Sequence, residues 1–249
     1  MFIPTNTRWI GFDLDDTLHH FKRASGAASE SVFEYVEEEF GIPAGELRDT
    51  YKGILKNAQS SHFADARTSR EHRSERFTKL LNHYSILTPG HIERILDLYD
   101  ETLAKNLALT EGAEDALRLA KARGFGVFVV SEGPHDAQTA TIERLGIKPY
   151  IDVLMTSSQE GRSKSDGLFD LALERIGCSP DEVIFLGDSL ERDIVPAKAS
   201  GMRTIYLSAT LPTDTHSISS LHDFSEMIKR ARPLDKMAVP PPREARPGG

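Results

Sequence analysis

Apolar residues recur every three or four positions through much of the first half of the chain. This spacing places them on one face of a helix. It is found in four successive segments, which are residues 32–40, 47–55, 77–84 and 92–99. Gly41 is expected to end the first helix, and the Pro89-Gly90 pair separates the third from the fourth. The pattern predicts a small bundle of four helices between residues 25 and 105.

The second half of the chain alternates between short apolar runs and amphipathic segments. Strands are predicted at residues 126–130, 151–155, 183–186 and 204–207, and the last of these is the final strand expected. Helices are predicted at residues 113–122, 137–145, 167–176 and 194–200. An earlier strand is predicted from the apolar residues that begin at Trp9 and lead into acidic residues. Strands separated by such helices favour a parallel sheet with helices on both faces.

The order of these elements predicts a Rossmann-like, doubly wound α/β fold that is interrupted by the helical bundle. We expect residues 1–20 and 106–230 to form the α/β core domain, and residues 21–105 to form a cap over the edge of its sheet. Residues 231–249, rich in proline, glycine and arginine, are expected to form a flexible tail. Right-handed crossovers place the carboxyl ends of parallel strands at one edge, where ligands bind in such sheets.

Composition narrows the possible partners and compartments. The 249 residues are 39% hydrophobic and include 30 basic and 38 acidic side chains, for a net charge of −8. This balance gives no overall attraction to nucleic acid or to anionic membranes. No apolar run approaches the ~20 residues of a membrane helix, and we expect no signal peptide from the N-terminal residues. The single cysteine, Cys178, excludes an internal disulfide and is interpreted as a structural or solvent-exposed thiol. Because a chain without disulfides fits a reducing compartment, we expect a cytoplasmic protein.

Polar residues follow four of the predicted strands. They are Asp13 and Asp15 after the first strand, Ser131 after the second, Lys164 after the third, and Asp188 and Asp193 after the fourth. Carboxylate oxygens suit Mg²⁺, which usually also binds water and a substrate phosphate. A lysine ammonium and a serine hydroxyl can bind phosphoryl oxygens. These residue types therefore predict a phosphoryl-transfer site that uses Mg²⁺.

The same residues resemble the four sequence motifs of the haloacid dehalogenase-like hydrolase superfamily. The motifs are matched by Asp13-Leu14-Asp15-Asp16-Thr17, by Ser131, by Lys164, and by Gly187-Asp188-Ser189 with Asp193. The match spans residues 9–207. The helical segment between the first two motifs resembles the small α-helical cap found in the phosphatase branch of this superfamily.

The resemblance implies a catalytic role for three residues. Asp13 would be the nucleophile that forms an aspartyl-phosphate. Asp15 would protonate the leaving oxygen and then deprotonate the attacking water. Lys164 would neutralise charge in the transition state. Dehalogenases of the superfamily lack the second acid, so the presence of Asp15 favours phosphorus chemistry over carbon–halogen cleavage.

The resemblance also implies two sets of binding groups. The Mg²⁺ ligands would be Asp13, the main-chain carbonyl of Asp15, and Asp188, with Asp193 in or next to the same shell. The phosphoryl group would be bound by Ser131, the backbone amide of Glu132 and Lys164, with Thr17 steadying the first loop.

Two residues depart from the family pattern. Glu132 stands where asparagine is common, and its carboxylate would repel a phosphate unless it points at the cap or meets an arginine. Ser165 stands where proline usually follows the lysine, which would loosen the loop that carries Lys164.

The leading hypothesis is a Mg²⁺-dependent phosphatase that acts on a small phosphorylated metabolite, either a nucleotide or a sugar phosphate. One alternative is a sugar-phosphate mutase of the same superfamily, which would retain the phosphoryl group. The other is a non-catalytic protein that binds a phosphorylated ligand. The sequence does not identify the substrate or the oligomeric state.

Several further residues have both a structural and a functional interpretation. His19 and His20 are interpreted as solvated hinge residues, the alternative being contact with a leaving group. Four arginines at three-residue spacing predict a solvated, salt-bridged helix face, from which one or two could reach an anionic leaving group; they are Arg67, Arg70, Arg73 and Arg76. Tyr51, Phe63 and Tyr84 are expected in the core of the bundle rather than against a base.

Overall fold

The computed structural model describes residues 2–58, 67–208, 210, 216–233, 239 and 241–243, and a parallel sheet lies at its centre. The strands are β1 (Trp9–Phe12), β2 (Gly126–Ser131), β3 (Val153–Thr156), β4 (Val183–Gly187), β5 (Arg203–Leu207) and β6 (Ser217–Ile218). Their order across the sheet is β3-β2-β1-β4-β5-β6, and every neighbouring pair is parallel. The predicted doubly wound α/β fold is confirmed.

Four successive helices follow β1 in the described part of the chain, where the periodicity predicted the bundle. They are α1 (Phe21–Phe40), α2 (Ala44–Ala58), α3 (Ser69–His83) and α4 (Pro89–Asn106). Gly41 follows α1 with a φ of 70°, in the left-handed region that glycine adopts at little cost. The prediction that Gly41 ends the first helix is therefore confirmed.

The remaining α-helices of the described chain follow the bundle, and all but the last of them lie between two strands of the sheet. They are α5 (Ala113–Ala122), α6 (His135–Arg144), α7 (Ser157–Glu160), α8 (Phe169–Ile176), α9 (Val195–Ala199) and α10 (Leu221–Arg230). Pro196 lies in the first turn of α9, as the sequence required, and a π-helical turn at Leu190–Ile194 directly precedes this helix. Among the described residues, no helix combines the length and the apolar character that a membrane crossing requires.

The alternation of side chains along β1 divides the core into two clusters, one on each face of the sheet. Ile10 and Phe12 pack in a cluster that includes residues of α5 and α10. Trp9 points to the other face, where it packs with residues of β2 and α8. Both faces of β1 are buried, which explains its continuous apolar run.

The bundle of α1 to α4 has an aromatic core of its own. Tyr51 is buried and stacks on Phe77 with the ring centroids 5.1 Å apart, and Tyr99 meets Phe77 edge-on at 5.7 Å. The expectation that Tyr51 belongs to the bundle core is confirmed. Tyr84 is half-buried and its hydroxyl lies 2.9 Å from the hydroxyl of Thr50. Phe63 lies outside the described residues, as does most of the predicted tail, residues 231–249.

The prediction that residues 204–207 form the last strand is wrong. Strand β6 and helix α10 follow, so β5 is not the last strand. Helix α10 begins at a capping box between Ser220 and Asp223 and buries Leu221, Phe224 and Ile228. This i, i+3, i+7 spacing is a helical signal that the sequence analysis missed. The predicted helix at residues 167–176 also begins later, because Gly167 has a φ of 83°.

The central strand has no space for a side chain at Gly11. A Cβ at this position would lie 2.3 Å from Cζ of Phe128 and 2.6 Å from a ring atom of Phe185. We expect Gly11→Ala to lower the free energy of unfolding by about 1–3 kcal/mol through overpacking. In contrast, a Cβ at the exposed Gly26 of α1 meets no atom within 4 Å. Gly26→Ala should stabilise by roughly 0.5–1 kcal/mol.

Urea unfolding of the two variants tests this prediction, with Gly26→Ala serving as the matched control. Equal stability changes in both variants would contradict the close packing around β1.

Candidate active site

The site lies where the loops after β1, β2 and β4 meet. Strand β1 is flanked by β2 on one side and by β4 on the other, with Phe12 in register with Val129 and Leu186. The next residue, Asp13, donates its backbone N–H to the carbonyl of Leu186 at 2.8 Å. Asp13 therefore lies at the carboxyl end of the central strand, between the ends of the two neighbouring strands.

Lys164 joins two carboxylates at this position. Its ammonium donates hydrogen bonds to Oδ1 of Asp13 and to Oδ1 of Asp193, the second at 2.6 Å. All three residues are buried, with 5% or less of their surface exposed. The ammonium also lies 5.9 Å from the ring centroid of Phe185. Charge-assisted hydrogen bonds of this kind make up for part of the cost of burying the three charges.

A third carboxylate completes a cluster with the geometry of a metal site. One oxygen from each of Asp13, Asp188 and Asp193 lies within 4.8 Å of the others. Asp193 is held by the backbone N–H of Ser189 at 2.9 Å. Gly187 permits this approach, because a Cβ there would lie 2.4 Å from Cβ of Asp193. The arrangement brings together three of the four residues predicted as metal ligands.

The cluster carries more negative than positive charge. Burial raises the pKa of Asp13 well above its usual range, against the attraction of Lys164 and with the repulsion of Asp193 adding to it. Burial and the charge of Asp193 likewise raise the pKa of Asp188, against the attraction of Lys22, whose exposed ammonium lies 3.7 Å from Oδ2 of Asp188. Burial opposes the charge of Lys164, but its two carboxylate partners outweigh this effect and raise its pKa. A divalent cation between the carboxylates would supply the missing positive charge, so the residues fit Mg²⁺.

Two further residues of the first motif belong to the same region. Thr17 is buried, and its hydroxyl lies 3.5 Å from Oδ1 of Asp188, which is compatible with its predicted role in steadying the loop. The carboxylate of Asp15 is not part of the three-carboxylate cluster, and its Oδ1 lies 2.9 Å from Nε2 of His19. Its predicted contribution to a metal is through the main-chain carbonyl, and this stays a prediction.

The end of β2 supplies a hydroxyl that has no partner. Oγ of Ser131 is buried and forms no hydrogen bond within the described part of the chain. A buried polar group without a partner is costly in a folded protein, which points to a ligand that completes it. Ser131 thus fits the predicted role of binding a phosphoryl oxygen.

Within the described part of the chain, Glu132 contacts the loop that carries Lys164. Its Oε1 accepts a hydrogen bond from the backbone N–H of Lys164 at 2.9 Å. The carboxylate therefore holds the loop that carries the lysine. The hydroxyls of Ser163 and Ser165 lie 3.0 Å apart in the same loop. These contacts restrain a loop that the absence of proline was expected to loosen.

The interpretation of His19 as a solvated hinge residue is wrong. The side chain is fully buried, and its Nε2 lies 2.9 Å from Oδ1 of Asp15. The other oxygen of Asp15 accepts a hydrogen bond from Nε2 of Gln138 at 3.2 Å. The sequence analysis predicted neither contact. Gln138 is 123 positions away from Asp15 along the chain, so no local pattern connects the two residues. His20 is half-buried.

Three of the arginines in and just before α3 form ion pairs among the described residues, but one of the three is not solvated. Arg67 pairs with Glu75 at 2.6 Å. Arg70 pairs with three acidic side chains of α4, which are Glu93, Asp97 and Asp100. Arg76 donates to a backbone carbonyl of its own helix. The side chain of Arg73 is only 14% exposed and pairs with Asp100 at 2.9 Å, so the prediction of a solvated face is wrong at this position.

The fold and the acidic cluster together define a doubly wound α/β protein with a carboxylate site at the ends of its strands. Residues 7–201 match the haloacid dehalogenase-like hydrolases. The chain belongs to this family of hydrolases, as its motifs predicted.

Three relatives illustrate the similarity. The ribulose-1,5-bisphosphate 5-phosphatase of Halopiger xanaduensis is 24% identical over 234 residues, which cover 87% of this chain and 97% of the relative. The pyrimidine 5′-nucleotidase YjjG of Escherichia coli is 26% identical over 231 residues, covering 88% and 97%. The HAD-hydrolase YfnB of Bacillus subtilis, solved with bound magnesium, superposes with a TM-score of 0.68 at 22% identity, covering 90% of this chain and 99% of YfnB.

The excess negative charge predicts an unusual effect of removing one carboxylate. Because the pKa of Asp188 is raised in the folded protein, folding loses stability as the pH rises through the titration of this group. In the presence of a chelator, Asp188→Asn should therefore melt at a higher temperature than the wild type at pH 7. The gain should shrink in acid, where the wild-type carboxyl is protonated.

Thermal unfolding between pH 4 and pH 8 tests this expectation, with Glu191→Gln as a matched control. Glu191 is exposed and lies three positions further along the same loop. A lower melting temperature for Asp188→Asn at pH 7 would contradict the charge imbalance.

Proposed function

We propose that this protein is a Mg²⁺-dependent phosphatase of small phosphorylated metabolites that works through an aspartyl-phosphate. The observation that carries the proposal is the buried contact of Lys164 with Asp13, within reach of Asp188 and Asp193. In this arrangement one carboxylate can act as the nucleophile, and the carboxylates together can hold a metal ion. The ammonium beside them can bind a phosphoryl group. The similarity to a ribulose-1,5-bisphosphate 5-phosphatase and to a pyrimidine 5′-nucleotidase supports the same reaction class.

In the proposed reaction, one oxygen of Asp13 attacks phosphorus and the bond to the leaving oxygen breaks. Asp15 gives its proton to that oxygen, and afterwards takes a proton from the water that hydrolyses the aspartyl-phosphate. Lys164 and the hydroxyl of Ser131 bind phosphoryl oxygens and stabilise their developing charge. Bound Mg²⁺, held by Asp13, Asp188 and Asp193 and by the carbonyl of Asp15, would reduce the repulsion between nucleophile and phosphate.

We propose that residues 21–105 act as the cap, with residues 1–20 and 106–230 as the catalytic core. The first residue of α3 supports this arrangement: the backbone N–H and the hydroxyl of Ser69 both donate to the carboxylate of Asp136 in α6. Helix α6 begins four residues after Ser131, so the contact holds the bundle beside the site. Substrate selection would then depend on the bundle, and a nucleotide or a sugar phosphate is the expected class.

The cytoplasm is the expected compartment, in keeping with the single cysteine.

Asp13→Asn should lower turnover of p-nitrophenyl phosphate by at least about 1,000-fold, because an amide is a poor nucleophile. Excess chelator should abolish wild-type turnover, and added Mg²⁺ should restore it. The matched control is Asp166→Asn, which removes an exposed carboxyl two residues from Lys164 and should leave the rate within about threefold of the wild type. A fully active Asp13→Asn would contradict the proposal.

A phosphate-release screen over nucleotides, sugar phosphates and short phosphorylated acids would then identify the substrate. Slow phosphate release that a bisphosphate stimulates would favour a mutase instead. Binding of a metabolite without any release would favour a non-catalytic ligand-binding protein. The contact between Glu132 and the loop of Lys164 weakens that last alternative, because this carboxylate is engaged by a backbone N–H.

A further inference from the structure

Both oxygens of the Asp15 carboxylate are held by side chains that lie outside the sequence motifs. Nε2 of His19 lies 2.9 Å from Oδ1, and Nε2 of Gln138 lies 3.2 Å from Oδ2. The two partners are buried, whereas 24% of the Asp15 side chain is exposed. Two buried side chains therefore contact the carboxylate, while part of its surface remains accessible to solvent.

The fold fixes the position of the His19 ring. The backbone of His19 pairs with Leu109, so the residue lies where the two connections between the sheet and the helical bundle run side by side. Its carbonyl accepts the backbone N–H of Asp16 at 2.7 Å. The imidazole is fully buried and meets the ring of Phe21 edge-on, with the centroids 6.1 Å apart. Little rotation of the ring is possible in these surroundings.

The contact with Asp15 fixes the role of one nitrogen of His19 whenever Asp15 is ionised. A carboxylate can only accept a hydrogen bond, so Nε2 donates to it in that form. Nδ1 is buried and has no partner among the described residues, which leaves Asp15 as the polar contact of the ring within that part of the chain.

Gln138 reaches Asp15 because the backbone leaves space for it. A Cβ at Gly133 would lie 2.4 Å from the amide nitrogen of Gln138. The amide is thereby placed between the loop after β2 and the loop after β1. Two independent parts of the chain donate to the same carboxylate.

We propose that His19 and Gln138 are positioning residues that orient Asp15 for proton transfer to the leaving group. This inference rests on the proposed phosphatase function. As the oxygen of Asp13 bonds to phosphorus and the bond to the leaving oxygen breaks, the proton moves from Asp15 to that oxygen. Asp15 is left as a carboxylate, which accepts hydrogen bonds from both donors. The donors thus stabilise the form that proton transfer produces.

The proposal predicts an effect that depends on the leaving group. A nitrophenolate leaves with little protonation, whereas the more basic phenolate requires an acid. We expect His19→Phe to lower kcat/KM for phenyl phosphate by about 10- to 100-fold and for p-nitrophenyl phosphate by less than about threefold. The parameter kcat/KM is chosen because it reports the steps up to departure of the leaving group. Gln138→Leu should show the same selectivity with a smaller loss.

Two further variants separate positioning from a structural role. His19→Gln retains a nitrogen donor and should recover part of the lost activity on phenyl phosphate. His20→Gln changes the neighbouring residue and should match the wild type on both esters. Melting temperatures identify any variant that fails to fold, and in that case Gln138→Leu and His19→Gln decide the question.

Equal losses on the two esters in the folded variants, or no loss on phenyl phosphate, would overturn the inference while the wild type remains an active phosphatase. If the wild type hydrolyses neither ester with Mg²⁺ present, both the proposed function and this inference are overturned.

Discussion

The contact of one buried ammonium with two buried carboxylates is the interaction on which the site depends. Lys164 neutralises only part of the charge of Asp13 and Asp193, and Asp188 adds to the excess. Such a cluster costs free energy in the folded protein unless a cation joins it. The folded protein thus has an unfavourable cluster of charges at the edge of an otherwise apolar sheet. Such clusters are typical of binding sites.

The rest of the fold keeps these charges in place. Strand β1 has neighbours on both sides, and Gly11 and Gly187 leave out the side chains that would disturb its packing and the approach of Asp193. Glu132 anchors the backbone of Lys164, so the lysine does not depend on a proline for its position. An acidic residue that first suggests repulsion of the substrate instead supports the residue expected to bind it.

Much of the fold and the identity of the site could be predicted from periodicity and from polar residues at strand ends. Asp13, Lys164 and the segment with Asp188 and Asp193 are far apart in the chain, yet a parallel sheet brings the ends of its strands to one edge. The orientation of side chains could not be predicted in the same way. His19 was misjudged because its burial depends on a pairing with residue 109, which no local pattern reveals.

The most direct test is to locate a divalent cation in crystals of the metal-free protein soaked with Mn²⁺. Anomalous diffraction should show one strong peak between the carboxylates of Asp13, Asp188 and Asp193, since Mn²⁺ accepts the same oxygen ligands as Mg²⁺. The wild-type peak should disappear in crystals of Asp188→Asn. A peak elsewhere in the molecule, or none at millimolar Mn²⁺, would contradict the account.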